Sequence, residues 1–231
     1  MWPRLRRNVP ALSAPLMAPS LHAPEMLASG KLSGVILTSR HAITGLCAAT
    51  GGKLDDRIAG LPAFAVGRAT GRAAREAGFR NVTIGHGGGA GLVPLITEAA
   101  PRLDGPLLWP AAVHRGFDMA AALDGIADVV TRPVYEMRET EILPDDAVAA
   151  IAGGNVLGVI LMSARSARLF RERLLALGQD QAVASMALIA GSDAIVAAAG
   201  DNWAETFASK RPARARLLAI ASLLYDRRTR S

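Results

Sequence analysis

The sequence predicts an α/β protein of two similar lobes, each a parallel sheet flanked by helices, joined by an extended two-segment hinge with a cleft between the lobes. Three observations predict this. Short apolar runs alternate with stretches of helical period, one strand pattern occurs twice, and a proline-bearing segment sits between the two halves.

The first half reads as strands over 34–37, 63–66, 82–84, 107–109 and 128–130. Helical periods over 42–49, 70–77, 92–100 and 119–123 fall between them. The second half continues with strands over 156–161, 186–190 and 206–209, and helices over 167–177, 194–199 and 214–224. Strands separated by helices in this way form right-handed βαβ units and hence parallel sheets.

The duplication is carried by Gly34-Val35-Ile36-Leu37-Thr38-Ser39, which recurs as Gly158-Val159-Ile160-Leu161-Met162-Ser163 at an offset of 124. A second pair, Ala65-Val66-Gly67-Arg68 and Ile189-Ala190-Gly191-Ser192, is expected at the same offset, each an apolar strand ending in Gly. The expected domains are 18–131 for one lobe, and 1–17 with 132–231 for the other. The hinge falls around 131–137, where Pro133 holds the chain extended.

Charge narrows the partners. Lys and Arg number 26 against 20 Asp and Glu, a net +6 in which Arg dominates, and such a surface attracts anions. With no run of five like charges and no aromatic-rich basic stripe, nucleic acid is not the expected partner. One cysteine, Cys47, excludes an intramolecular disulfide and suits a reducing, cytoplasmic setting. Cys47 is read as a small buried hydrophobe in preference to a nucleophile.

Two segments imitate targeting or membrane pieces. Residues 1–23 carry Arg4, Arg6 and Arg7, but Pro10, Pro15 and Pro19 break any apolar helix there. The uncharged stretch 147–164 is interrupted by Gly153-Gly154-Asn155, a helix stop and turn, so helix-turn-strand is expected in place of a membrane span.

Ligands of parallel sheets bind beyond the carboxyl ends of the strands. That rule selects Thr38-Ser39-Arg40, Gly67-Arg68-Ala69-Thr70, the loop 85–91, Ser163-Ala164-Arg165 and Gly191-Ser192-Asp193. Each could be a plain helix cap; together they would ring one cleft, with Arg40, Arg68 and Arg165 suited to an anion. The Gly85-His86-Gly87-Gly88-Gly89-Ala90-Gly91 loop also imitates a dinucleotide fingerprint, though it follows an inner strand of its lobe and no clear acid ends the next one. As an oxyanion loop it lacks a G-x-S-x-G elbow elsewhere, and as a phosphate loop it lacks the closing Gly-Lys-Ser/Thr. His22, His41, His86 and His114 show no paired metal-ligand spacing.

Taken in order, these motifs resemble those of the uroporphyrinogen-III synthase family. Ile36-Leu37-Thr38-Ser39-Arg40-His41-Ala42 is similar to that family's strand-end segment. Ala65-Val66-Gly67-Arg68-Ala69-Thr70-Gly71-Arg72-Ala73-Ala74 with Gly78-Phe79-Arg80-Asn81-Val82, the Leu107 to Gly116 stretch, Val134-Tyr135-Glu136 and Lys210-Arg211-Pro212 resemble further segments. Two departures are visible. The family's usual opening strand, ending in Thr-Arg-Pro, has no counterpart, so one sheet is expected to lack a member. Gly191-Ser192-Asp193-Ala194 replaces a Gly-x-x-Thr-Ala step.

The resemblance implies cyclisation of hydroxymethylbilane, a linear tetrapyrrole polycarboxylate, with loss of water, inversion of ring D and no cofactor. It implies substrate contacts from Thr38, Ser39, Arg40, Gly67, Arg68, Thr70, Gly87, Gly88, Arg115, Ser163, Arg165 and Ser192, and a catalytic role for Tyr135. It further implies a cytoplasmic monomer that takes its substrate by transient hand-over from hydroxymethylbilane synthase. A non-catalytic two-lobed anion-binding protein and an NAD(P)-dependent oxidoreductase built on the Gly85 loop remain the alternatives.

Overall fold

The computed structural model describes residues 9–22, 31–209 and 214–229. The arginines near the start and the Lys210-Arg211-Pro212 step lie outside the described residues. The chain forms two compact units, one of Pro19–Arg138 and the other of Met1–Ala18 with Glu139–Ser231. The divisions fall inside β1 (Met17–Leu21) and β6 (Val129–Glu139).

Between those strands lie β2 (Gly34–Leu37), α1 (Arg40–Ala49), α2 (Asp56–Ala59), β3 (Pro62–Ala65), α3 (Arg68–Glu76), β4 (Asn81–Ile84), α4 (Val93–Ala99), β5 (Leu107–Ala112) and α5 (Met119–Ala122). The sheet order is β1-β6-β5-β2-β3-β4. Strands β2 to β6 are parallel in their pairings, with Val35 opposite Ala63 and Leu107 opposite Val129. β1 runs antiparallel to β6, because His22 N–H donates to the Val134 carbonyl while Thr140 N–H donates to that of Leu16.

Both faces of this sheet are covered, as parallel sheets require. Successive side chains alternate between the faces. Val35, Leu37, Ala63, Ala65 and Leu108 pack with Ile43, Leu46, Ile58 and Ala74 of α1 to α3. Ile36, Phe64, Leu107, Trp109 and Ala111 pack on the other side with Leu92, Ile96, Met119 and Leu123. The strands and helices expected in this half all form.

β6 is longer than its apolar run suggested. It spans 11 residues and passes straight through Pro133. Proline removes a ladder donor, so it sits in a sheet only at an edge or beside an irregularity. Here Ala111 pairs with Pro133 and Ala112 with Tyr135, so Val134 is the extra residue of a bulge. The segment expected as an extended hinge, 131–137, is extended strand, and the chain passes from one unit to the other just beyond it, between Arg138 and Glu139.

The second unit contains α6 (Asp145–Ala152), β7 (Gly158–Leu161), α7 (Ala164–Ala176), β8 (Ala187–Ala190), α8 (Asp193–Ala199), β9 (Glu205–Ala208) and α9 (Arg214–Arg228). Among the described residues its sheet is β7-β8-β9, all parallel. Leu161, Leu188 and Ala190 pack against Ile151, Phe170, Leu174 and Ile195, while Ala187 and Ile189 meet Leu217 and Leu224 of α9 on the other face. The Gly153-Gly154-Asn155 turn does stop α6: the Asn155 N–H donates back to the Ala150 carbonyl at 2.9 Å.

The duplication is structural, with one correction. β2 and β7 correspond at the offset of 124, but Val35 and Leu37 face Ala63 and Ala65, whereas Val159 and Leu161 face Leu188 and Ala190. The second strands are therefore offset by 125. Gly67 corresponds to Ser192 and not to Gly191. The connection from first to second strand is one residue longer in the later copy, a change that falls outside the paired strands.

Candidate functional site

Helix N-termini and free peptide N–H groups gather at the carboxyl ends of parallel strands. Read from β4, the five parallel strands of the 19–138 unit run third, second, first, fourth, fifth. Connections therefore leave β2 and β5 in opposite directions, and the switch point between their ends is where such sheets take ligands.

Thr38 follows β2 there, and Val113, His114 and Arg115 follow β5. Trp109 Nε1 donates to Thr38 Oγ1 at 3.2 Å, so the threonine's own O–H is left to donate elsewhere. The Arg115 guanidinium lies 5.3 Å from the centre of the Trp109 ring. Its Nη1 donates to the Ala112 and Val113 carbonyls at 3.2 and 3.4 Å. The group is exposed yet anchored, with further N–H groups able to meet a carboxylate.

Ser39 is the extended N-cap of α1, and its Oγ accepts the His41 N–H at 3.1 Å. Arg40, the first helical residue, is exposed. The His41 ring lies 5.8 Å from that of Tyr135, inclined by 49°. Burial, and then the charge of Arg40, lowers the His41 pKa from its usual value. Tyr135 is buried on β6 opposite Ala112, and its backbone carbonyl accepts the Val113 N–H at 2.9 Å. Its hydroxyl has no hydrogen-bond partner among the described residues, and it is not one of the sealed unpartnered atoms, which are His22 Nε2 and Arg171 Nη1. The neighbouring Glu136 carboxyl is held below the usual range, chiefly by its hydrogen bond from Arg138, with His22 and His114 adding their charge.

Farther along the edge, Gly67 is the extended N-cap of α3. Arg68 is exposed, whereas Thr70 is buried in the first helical turn. After β4, Gly87 and Gly88 are exposed in left-handed conformations, φ 83° and 70°. Gly89 is fixed differently, since a Cβ there would overlap the Phe117 ring. This loop follows the outermost strand of the sheet and not the inner one expected, and it leads into a 3-10 turn at Ala90–Leu92 before the short α4. A dinucleotide fingerprint would instead follow the first strand and open a helix directly.

The 139–231 unit offers the matching edge of its own sheet. Ser163 caps α7: its Oγ accepts the Ser166 N–H at 3.0 Å and donates to Ser166 Oγ at 2.8 Å. Arg165 is paired, with Nε and Nη2 at 3.2 and 3.0 Å from Glu139 Oε1. Ser192, the N-cap of α8, makes no side-chain cap hydrogen bond. Of the two caps, only Ser192 has its hydroxyl uncommitted.

Cys47 is half-buried against the core of the 19–138 unit, and burial raises its pKa, which disfavours the thiolate. Among the described residues, no cluster of three His, Cys, Asp or Glu is placed to hold a metal ion, and no helix is long and apolar enough to cross a membrane.

The family model described as Uroporphyrinogen-III synthase HemD matches residues 11–219. The chain belongs to that family. No curated protein matches it. Among solved structures, it is similar to the uroporphyrinogen-III synthetase of Helicobacter pylori, at 16% identity and a TM-score of 0.59, over 90% of this chain and 91% of that one. It is also similar to a mutant uroporphyrinogen III synthase from the extremely thermophilic bacterium Thermus thermophilus, at 19% identity and a TM-score of 0.50, over 92% and 88%. At these identities the likeness establishes the fold.

Within the family's fold, the expected positions divide between the two sheets. Thr38, Ser39, Arg40, Gly67, Arg68, Thr70, Gly87, Gly88, Arg115 and Tyr135 lie along one strand-end edge, and Ser163, Arg165 and Ser192 along the other. Sequence reasoning did not foresee the pairing of Trp109 with Thr38 or of His41 with Tyr135. Both partnerships span more than 70 residues of chain, and no local spacing announces them.

Proposed function

We propose that the chain is a uroporphyrinogen-III synthase, cyclising hydroxymethylbilane to uroporphyrinogen III in tetrapyrrole biosynthesis. The family match over residues 11–219 carries this reading. The free donors and anchored arginine at the 19–138 switch point suit a polycarboxylate.

The chemistry begins as the substrate's terminal C–O bond breaks and the hydroxyl, taking up a proton that closure later returns, leaves as water and generates a cationic azafulvene. Tyr135 is assigned to this step, its hydroxyl hydrogen-bonding the departing oxygen. The already substituted carbon of ring D then bonds to this cation, giving a spiro intermediate; its bond to the methylene from ring C breaks, and that methylene re-attaches at ring D's free α carbon, which loses a proton as the inverted ring closes. The reaction is redox-neutral, and this reading calls for no cofactor. The substrate also closes unaided to the uninverted isomer, so the enzyme's task is largely to hold the chain with the productive carbon nearer. Positioning can contribute roughly 7–11 kcal/mol in favourable cases, and choosing between two closures needs only a few.

Carboxylate recognition is assigned to Thr38, Ser39, Thr70, Arg40, Arg68 and Arg115, with the Gly67 and Gly87-Gly88 backbone letting the substrate approach closely. Ser163, Arg165 and Ser192 are assigned to the same substrate. Arg165 is the weakest of the cationic assignments, because Glu139 already neutralises it. The protein is read as a cytoplasmic monomer supplied by hydroxymethylbilane synthase.

The test is incubation with enzymatically generated hydroxymethylbilane, followed by chromatographic separation of the type I and type III products. Type III product supports the reading. Type I alone, at the rate of the enzyme-free control, overturns it and favours a binding protein.

A further inference from the structure

Two anchors fix the backbone of Tyr135. Its carbonyl and register hold it to β5 at Ala112 and Val113, and the preceding Val134 is clamped by α1. The clamp is close: a Cβ on Gly45 would stand 2.6 Å from the Val134 carbonyl oxygen and 2.8 Å from its side chain. The remaining freedom of Tyr135 lies in its side-chain torsions. Ala42, Val134, Ala112 and Met137 surround the residue, and His41 supplies the ring that meets its ring. His41 is itself held, because Ser39 captures its N–H and Ala42 next to it is fully buried. Burial favours the neutral imidazole, which packs as a flat ring without placing a second charge beside a developing cation.

We propose that His41 is a positioning residue for Tyr135, its ring setting the direction of the phenol that meets the leaving hydroxyl. This rests on the synthase reading above. The Ser39 cap gives the turn after β2 a second task, since it seats the ring that aims the tyrosine of β6.

The experiment compares wild type, His41→Ala, His41→Phe, Tyr135→Phe and the His41→Ala/Tyr135→Phe double variant for type III formation, with thermal unfolding as the check of folding. A misdirected catalytic group costs on the order of tenfold or more, so His41→Ala should lower kcat about tenfold and leave KM within about twofold. His41→Phe, which restores a ring, should return kcat to within about threefold of wild type. In the Tyr135→Phe background, His41→Ala should cost nothing further, because the group it aims is gone. If His41→Ala does not stay folded, His41→Asn removes the ring while keeping a polar side chain at the helix start.

The proposal is overturned if the ring-free variant keeps kcat within about twofold of wild type, or if it loses the same factor in both backgrounds. A wild type that makes no type III product overturns the synthase reading first, and the role of His41 falls with it.

Discussion

Trp109 and Thr38 join the two strands that border the switch point: the indole N–H donates to the threonine hydroxyl at 3.2 Å, across a separation of 71 residues. The indole is almost wholly buried, at 2% exposure, so the bond is the outlet for a donor that water cannot serve.

Replacing Thr38 with Val keeps the shape and removes the acceptor. An unsatisfied buried donor costs about 1–3 kcal/mol, and urea unfolding should report a loss of that order for Thr38→Val. In a Trp109→Phe background, where no indole N–H exists, the same substitution should cost measurably less. Equal losses in both backgrounds would mean that the bond contributes nothing.

Gly45 sets how closely α1 approaches β6. Gly45→Ala puts a methyl group 2.6 Å from a backbone carbonyl that is fixed by the sheet, so the helix must move. Overpacking of this kind costs about 1–3 kcal/mol despite the better helix propensity of Ala. A denaturant midpoint equal to or above that of wild type would show that the contact can relax freely.

The duplicated caps separate stability from binding. Ser163→Ala deletes a cap that accepts the Ser166 N–H and should cost about 1 kcal/mol. Ser192 makes no such bond, so Ser192→Ala should leave unfolding unchanged while raising KM for hydroxymethylbilane. A stability loss at Ser192 as large as that at Ser163 would contradict the distinction.

Much of the fold was legible because parallel strands buried on both faces announce themselves as short apolar runs. Gly34 to Leu37 is an example, and its half-buried copy at Gly158 to Leu161 repeats the same four letters. Met17–Leu21 was missed because Pro19 argues against a strand; it is tolerated because β1 is the edge of its sheet. The extended crossing at Pro133 was legible; that it is paired as strand, with a bulge absorbing the proline within β6, was not. The second repeat pair was placed one residue off because Ala and Gly match many neighbours, whereas strand register admits only one pairing. For the site, strand ends could be named from order alone. Which hydroxyls are free could not: Ser163 and Ser192 look alike as letters and differ only in their hydrogen bonds.

The His41 environment carries a pH signature. Burial and then Arg40 lower its pKa from 6.5 in the folded protein, so unfolding takes up a proton below that value. Its stability contribution is whole above the unfolded pKa and is lost as pH falls through it toward the folded value. His41→Phe removes this dependence, so its denaturant midpoint should fall less than that of wild type between about pH 7.5 and pH 5.5. Parallel declines would show that His41 does not supply the linkage.

Isomer composition is the most direct readout of the proposed activity, because unaided closure yields the uninverted ring alone. With hydroxymethylbilane generated in situ and the wild-type chain titrated upward, the account predicts a type III fraction that rises with protein until it replaces type I. A type I product at every protein concentration would contradict it.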